Sequence, residues 1–276
     1  MKKLALALVL LLGNLIFAEE YLRFNAPVGT EVVLESYTKT ELLPLEYFWP
    51  QSLPRPLAVP TPKASEAKGT LRYKVIGRNL VEVSFKGQTA GLNKPIEVTY
   101  RVRYEGDRVV VVNPDEVLER LTKSLGLPPE SKELLNELLN GLPGFGSASV
   151  VPEYSVPLVA GASRTLYVPY IGGKSARVEV TYLGQENGRH HFSLNTYVPY
   201  VELGWVKKLL PPGAVSLVSV GPGWTRAETY YFKNGLPAGS ISEGKVLSFT
   251  YMNLNGSQAA MAAWAVSKSE LKVIKP

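Results

Sequence analysis

The chain has 276 residues, 45% of them hydrophobic, no cysteine, and a net charge of +6 at pH 7. Without thiols, neither disulfides nor cysteine-bound metals can hold the fold, so ordinary apolar cores must do so. The charge excess is small and not gathered into a basic stripe, which excludes nucleic acid as a partner.

Met1 to Ala18 reads as a cleaved signal peptide. Lys2 and Lys3 form the positive start, Leu4 to Leu12 an apolar run of nine, and Asn14 to Ala18 leads to a small residue before Glu19. The run is well short of the ~20 residues that a membrane-spanning helix needs. Cleavage removes two lysines and no acids, which lowers the net charge to +4 and leaves 258 residues. The expected location is therefore periplasmic or extracellular, at most peripheral to a membrane.

Residues 19–112 form an amino-terminal β-rich half. Val32 to Thr40 is rich in β-branched and aromatic types. A composition break follows at 44–62, where six prolines punctuate a segment carrying Tyr47, Phe48 and Trp49. Proline at this density forbids a regular helix. The segment reads as an extended loop whose aromatics either pack on the body or meet a partner. Leu71, Tyr73 and Val75 then alternate with Arg72 and Lys74, and Gly77-Arg78-Asn79 turns the chain. Val81, Val83 and Phe85 alternate with Glu82, Ser84 and Lys86. Ile96, Val98, Tyr100, Val102 and Tyr104 alternate with Glu97, Thr99, Arg101 and Arg103. This period of two predicts antiparallel strands with one wet face. Glu105-Gly106-Asp107 makes a hairpin, and the four valines 109–112 suggest a strand covered on both sides.

Residues 113–142 are written as a helical insert. Asn113 suits a cap, Pro114 the first helical position, and Asp115 and Glu116 complement the helix dipole. Val117, Leu118, Leu121 and Leu125 form one stripe, broken at Gly126 and Pro128-Pro129. A second helix follows, with Leu134, Leu135, Leu138 and Leu139 on one side. Helices this short are not stable alone, so each stripe must bury against a sheet.

Residues 143–276 resume β structure. Arg164 to Tyr170 is a strand interrupted by Pro169, Val178, Val180 and Tyr182 alternate with polar neighbours, and Asn187-Gly188 signals a hairpin. Trp205 to Leu210 has room for a helical turn or two, and Asn234-Gly235 marks another hairpin. A weak echo relates Arg72-Tyr73-Lys74-Val75 to Arg177-Val178-Glu179-Val180. Either an old duplication or two meanders in a shared vocabulary would produce it. The expected fold class is mainly β (α+β): antiparallel twisted sheets or meanders in two related halves, with a central two-helix insert packed on the sheet.

Catalytic signatures are missing. His190 and His191 are the only histidines, and neighbours on a strand point to opposite faces, so they cannot readily grip one ion. No Gly-x-Ser-x-Gly occurs, and the two aspartates, Asp107 and Asp115, have structural roles at a hairpin and a helix start. Gly172-Gly173-Lys174-Ser175 lacks the earlier glycine of a phosphate loop and precedes a strand, so it reads as a turn. We therefore expect a non-catalytic protein with no cofactor and no metal.

A curved antiparallel sheet with helices against its concave face resembles, in architecture only, bacterial envelope carriers of lipids and lipoproteins, such as the lipoprotein-localisation carrier family; no motif carries the likeness. The expected function is binding of an apolar ligand, a lipid or lipoprotein-like molecule, in a sheet–helix cleft. Leu118, Leu121, Leu134 and Leu138 would form its lid, and Tyr100, Val102, Tyr104, Val178, Val180 and Tyr182 its floor. The competing reading is an assembly module of the cell envelope that contacts a protein partner through Tyr47, Phe48 and Trp49; a third is a hydrolase without a motif.

Overall fold

The computed structural model of the chain describes residues 19–45, 64–89, 95–124, 136, 149–204, 215–254 and 257–276. The signal segment, Tyr47, Phe48 and Trp49, Leu134 and Leu138 with their helix, and the turn expected at Trp205 to Leu210 lie outside these residues.

The alternating segments become strands. β1 (Glu31–Pro44), β2 (Ser65–Gly77), β3 (Leu80–Thr89), β4 (Ile96–Glu105) and β5 (Arg108–Val111) run as hairpins and lead to helix α1 (Pro114–Ser124). Two-residue β6 (Ser149–Val150) follows, then a 3-10 turn at Pro152–Ser155, β7 (Ser163–Tyr170), β8 (Lys174–Glu186), β9 (Arg189–Val198) and two-residue β10 (Val201–Glu202). The long strands β11 (Val215–Tyr231), β12 (Pro237–Leu254) and β13 (Ser257–Lys275) come last. Where hairpins were expected the backbone turns: Asn79, Gly106, Asn187 and Gly188 all take positive φ, a conformation that asparagine and glycine tolerate best.

The thirteen strands among the described residues belong to one sheet, in the order β6-β5-β4-β3-β2-β1-β13-β12-β11-β9-β8-β7, with β10 attached beside β11. Two up-and-down meanders therefore meet along a seam where β1 pairs antiparallel with β13. The outermost strands β6 and β7 approach within 8 Å, so the sheet is nearly closed. Its free edges are poor templates for further pairing: β6 has two residues, and β7 carries Pro169, which has no N–H to donate. The expected division into two related halves is not confirmed, because the strands form one continuous sheet and α1 is the one α-helix that the described residues form.

Helix α1 starts at Pro114 and buries Val117 and Leu118 against β4. Asn113 serves it differently from the simple cap expected. Its carbonyl accepts the Val117 N–H, while its side-chain Oδ1 accepts the Arg101 amide of β4 at 2.8 Å and its Nδ2 donates to Glu116. The carboxamide thus fastens the helix start to the strand beneath it.

One end of the space inside the sheet is filled. Val32 and Leu34 of β1, Val75, Val81, Val83, Val102 and Val111 on one limb face Val180 and Phe192 on the other, joined by Leu22 and Leu236. Complete burial of such side chains stabilises by roughly 1.5–3 kcal/mol each. Aromatic rings link the limbs: Phe24 stacks on Tyr104 at 4.3 Å, Tyr104 approaches Tyr154 at 5.9 Å, and Tyr154 meets Tyr231 edge-on at 5.9 Å. Tyr231 then meets Phe192 at 6.0 Å, and Phe192 meets Tyr182 at 5.0 Å.

Candidate functional site

The strand register divides the sheet into two faces with different chemistry. Residues directly opposite one another in antiparallel pairs share a face, so rows can be followed across the sheet from the core residues Val32 and Leu34. On this inner face the rows beside the core are large, such as Val32–Tyr73–Val83–Tyr100. Further along β1 the rows become small. Ala67, Thr38, Ser269, Ser242 and Ala227 form one across five strands. Ser65, Thr40, Ser267, Gly244, Thr225 and Thr196 form the next across six. Apart from buried Gly244, every member of both rows is half-buried, whereas core residues one or two rows away are fully covered. Thr38 and Ser269 satisfy each other through a 2.9 Å hydroxyl contact.

Most of the residues expected to line a cleft lie in the filled end. Leu118, Val102, Tyr104, Val180 and Tyr182 belong to the buried core, with Tyr100 and Leu121 packed against it. Val178 is also buried, opposite Thr196 and so at the margin of the small rows. The helix stripe and both strand groups therefore do meet, as tightly packed neighbours.

The core contains a polar group with no signature in the sequence. Glu153, in the 3-10 turn between β6 and β7, is only 4% exposed. Its carboxylate accepts the Thr229 hydroxyl of β11 at 3.0 Å and also bonds Tyr231. Burial pushes its pKa above the usual carboxylate range, because the hydrogen bonds only partly replace lost water. Beside it, the Tyr154 hydroxyl donates to the Gly235 carbonyl at 2.5 Å, and desolvation raises the pKa of Tyr154, Tyr104 and Tyr231 alike.

The histidines separate onto opposite faces as expected, although both are largely covered. His190 is buried in the inner face with Nδ1 3.1 Å from the Tyr182 hydroxyl, and burial lowers its pKa. His191 stacks on Tyr230 at 4.4 Å on the outer face, with Glu186 and Glu228 at 3.5 and 3.3 Å. No group of three metal-ligating side chains occurs among the described residues.

The outer face of β1, β13, β12, β11 and β9 carries an open depression of about 600 Å³, within the ~300–1,000 Å³ range of ligand sites. Its lining includes Tyr37, Asn195, Arg226, Glu243, Lys268 and Glu270. A smaller hollow of about 110 Å³ adjoins it, sharing Asn195 and Arg226 and adding Tyr197 and Trp224. Read in sequence alone, none of these residues stands out, nor do the small inner rows. A legible signal existed in Tyr37-Thr38-Lys39-Thr40, Ser240-Ile241-Ser242-Glu243-Gly244 and Ser267-Lys268-Ser269-Glu270, where small residues alternate with large ones. The small side then faces inward and the large side lines the outer depression.

No family model matches the chain, and no curated protein matches it. Among solved structures the chain is similar to one described as lipid–protein interactions in lipovitellin, at 12% sequence identity and a TM-score of 0.42. That match covers 90% of this chain and 25% of the other, so the chain spans about a quarter of the length of the structure it resembles.

Proposed function

We propose that this protein is an exported, non-catalytic binding protein that holds an apolar or amphipathic ligand, lipid-like in size, against the inner face of its sheet. The observation that carries the reading is the pair of inner rows in which, from β2 to β11, nothing is larger than threonine and every member but Gly244 is only partly buried beside a fully packed core. Facing β layers stand ~10 Å apart and are ordinarily filled by interdigitating large side chains. Alanine, serine, threonine and glycine across five or six strands would leave part of that depth for a ligand. In this reading the aromatic core and α1 would close one end of the binding space, with Val178, Leu166 and Val246 at its sides. The hydroxyl pair Thr38–Ser269 is already satisfied within the sheet, which lowers the cost of covering it with an apolar molecule.

Mass spectrometry of material extracted from the purified full-length protein tests this reading. It should release an apolar or amphipathic molecule, and the delipidated protein should take up a fluorescent fatty acid. Thr38→Trp combined with Ser267→Phe would occupy that inner space and should abolish uptake while circular dichroism remains unchanged. If nothing apolar is released and the fatty acid is not taken up, the reading fails. Export rests on the amino-terminal segment alone, and terminal sequencing of the protein recovered from producing cells should find Glu19 first; an intact Met1 would refute it.

A further inference from the structure

We propose a second binding site on the opposite face: the outer depression accommodates a short, uncharged, linear oligosaccharide. The depression and its neighbouring hollow run from Tyr37 on β1 to Tyr197 on β9. That path crosses five adjacent strands, a span of about 19 Å at the usual spacing between strands. Side chains along it alternate in kind. Asn195 both donates and accepts, Arg226 and Lys268 donate, and Glu243 accepts. Among the described residues none of these four has a side-chain hydrogen bond or an ion pair, and Arg226 lies over the Trp224 ring at 5.1 Å.

Other ligand classes fit these groups poorly. An anion would meet Arg226 and Lys268 but also the carboxylates of Glu228, Glu243 and Glu270 in the same lining. An apolar molecule would strand those charged ends away from water with no partner to replace it. An extended peptide recognised through its backbone needs a free strand edge, whereas β13, β12 and β11 are interior strands paired on both sides. A cation would need grouped ligands, which the described residues lack. A sugar hydroxyl donates and accepts at once, so one ligand can satisfy Asn195, Arg226, Lys268 and Glu243 together without a net charge of its own. Tyr37 at one end, with Trp224 and Tyr197 at the other, supplies aromatic rings whose electron-rich faces attract the polarised C–H groups of a pyranose, one face of each ring already lying under Lys68, Arg226 and Arg177 respectively.

The full-length protein would be titrated with maltotriose, cellotriose, laminaritriose and tri-N-acetylchitotriose, followed by calorimetry and tryptophan emission. At least one should bind with a dissociation constant below ~1 mM, with an emission change that Trp224→Phe removes. Asn195→Ala and Glu243→Gln, both surface changes that leave the core untouched, should each weaken binding about tenfold. The inner-face pair Thr38→Trp with Ser267→Phe, neither residue lining the depression or its neighbouring hollow, should leave it unchanged. The proposal is overturned if none of the four sugars binds, if Asn195→Ala and Glu243→Gln bind as the parent does, or if affinity falls steeply with added salt, the mark of a charged partner.

Discussion

Replacing Glu153 by glutamine should remove one titration from the folding equilibrium without disturbing the packing around it. The carboxyl is 4% exposed, is held by Thr229 and Tyr231, and has a pKa raised chiefly by burial. For an acid whose folded-state pKa exceeds its unfolded value, the contribution to stability is fully present below the unfolded pKa, about 4.3 for glutamate. It is then lost as pH rises through the folded pKa, since the unfolded chain gives up the proton first. One proton sets the limiting slope at about 1.4 kcal/mol per pH unit across that window. Glutamine keeps the acceptor for Thr229 and Tyr231 but never ionises. Urea unfolding followed by far-ultraviolet circular dichroism, from about pH 4 to pH 8, should show the parent losing stability relative to Glu153→Gln through the window and a constant difference above it. Parallel curves would mean that Glu153 titrates alike in both states. A parent that gains on the variant with rising pH would mean that an unseen cation holds the carboxylate charged. Either result refutes the account of the core given above.

Three further outcomes follow from the same region. Tyr154→Phe removes only the hydroxyl that donates to Gly235 and should cost about 1–3 kcal/mol in urea unfolding, whereas Tyr167→Phe, at a side chain 73% exposed, should cost nothing measurable. Gly235→Ala should destabilise by at least about 2 kcal/mol, because φ is 82° there and a Cβ would stand 2.6 Å from the Arg23 carbonyl oxygen; thermal melting would read it. His190, whose pKa is lowered by burial, favours its neutral form in the fold, so the parent should lose stability as pH falls below ~6.5, and His190→Gln should flatten that limb of the melting profile.

Local writing in the sequence predicts local structure well. Alternation at Leu71–Val75 and Ile96–Tyr104 places β2 and β4, the Asn187-Gly188 pair places the β8–β9 hairpin, and Pro114 marks the start of α1. Each of these signals depends only on neighbours within a few residues. Pairing of β1 with β13 joins positions such as Thr38 and Ser269, 231 apart in the chain, and no periodicity specifies it. The candidate sites depend on that pairing, since Thr38, Ser242 and Ser269 make a row only once the seam has formed. Read singly, Ser267, Lys268 and Ser269 look merely solvated. Glu153 escaped for a related reason: a lone glutamate after a proline reads as loop, and its burial is imposed by Thr229 and Tyr231 arriving from β11.

The seam between β1 and β13 also bears on how the chain reaches its folded state. Contacts that span 231 residues place this protein among topologies in which loop closure must precede reward, and such chains fold slowly. Throughout synthesis of the intervening strands, β1 offers one side of its backbone, from Val33 to Pro44, with no partner available. That exposed ribbon, bearing Tyr37, Leu42 and Leu43, is what a second unfinished copy would pair with most readily. The vulnerable period in the life of this molecule is thus the interval before its last strand is delivered, and a holding chaperone that covers β1 would shorten the list of wrong partners more than any added stability in the finished core.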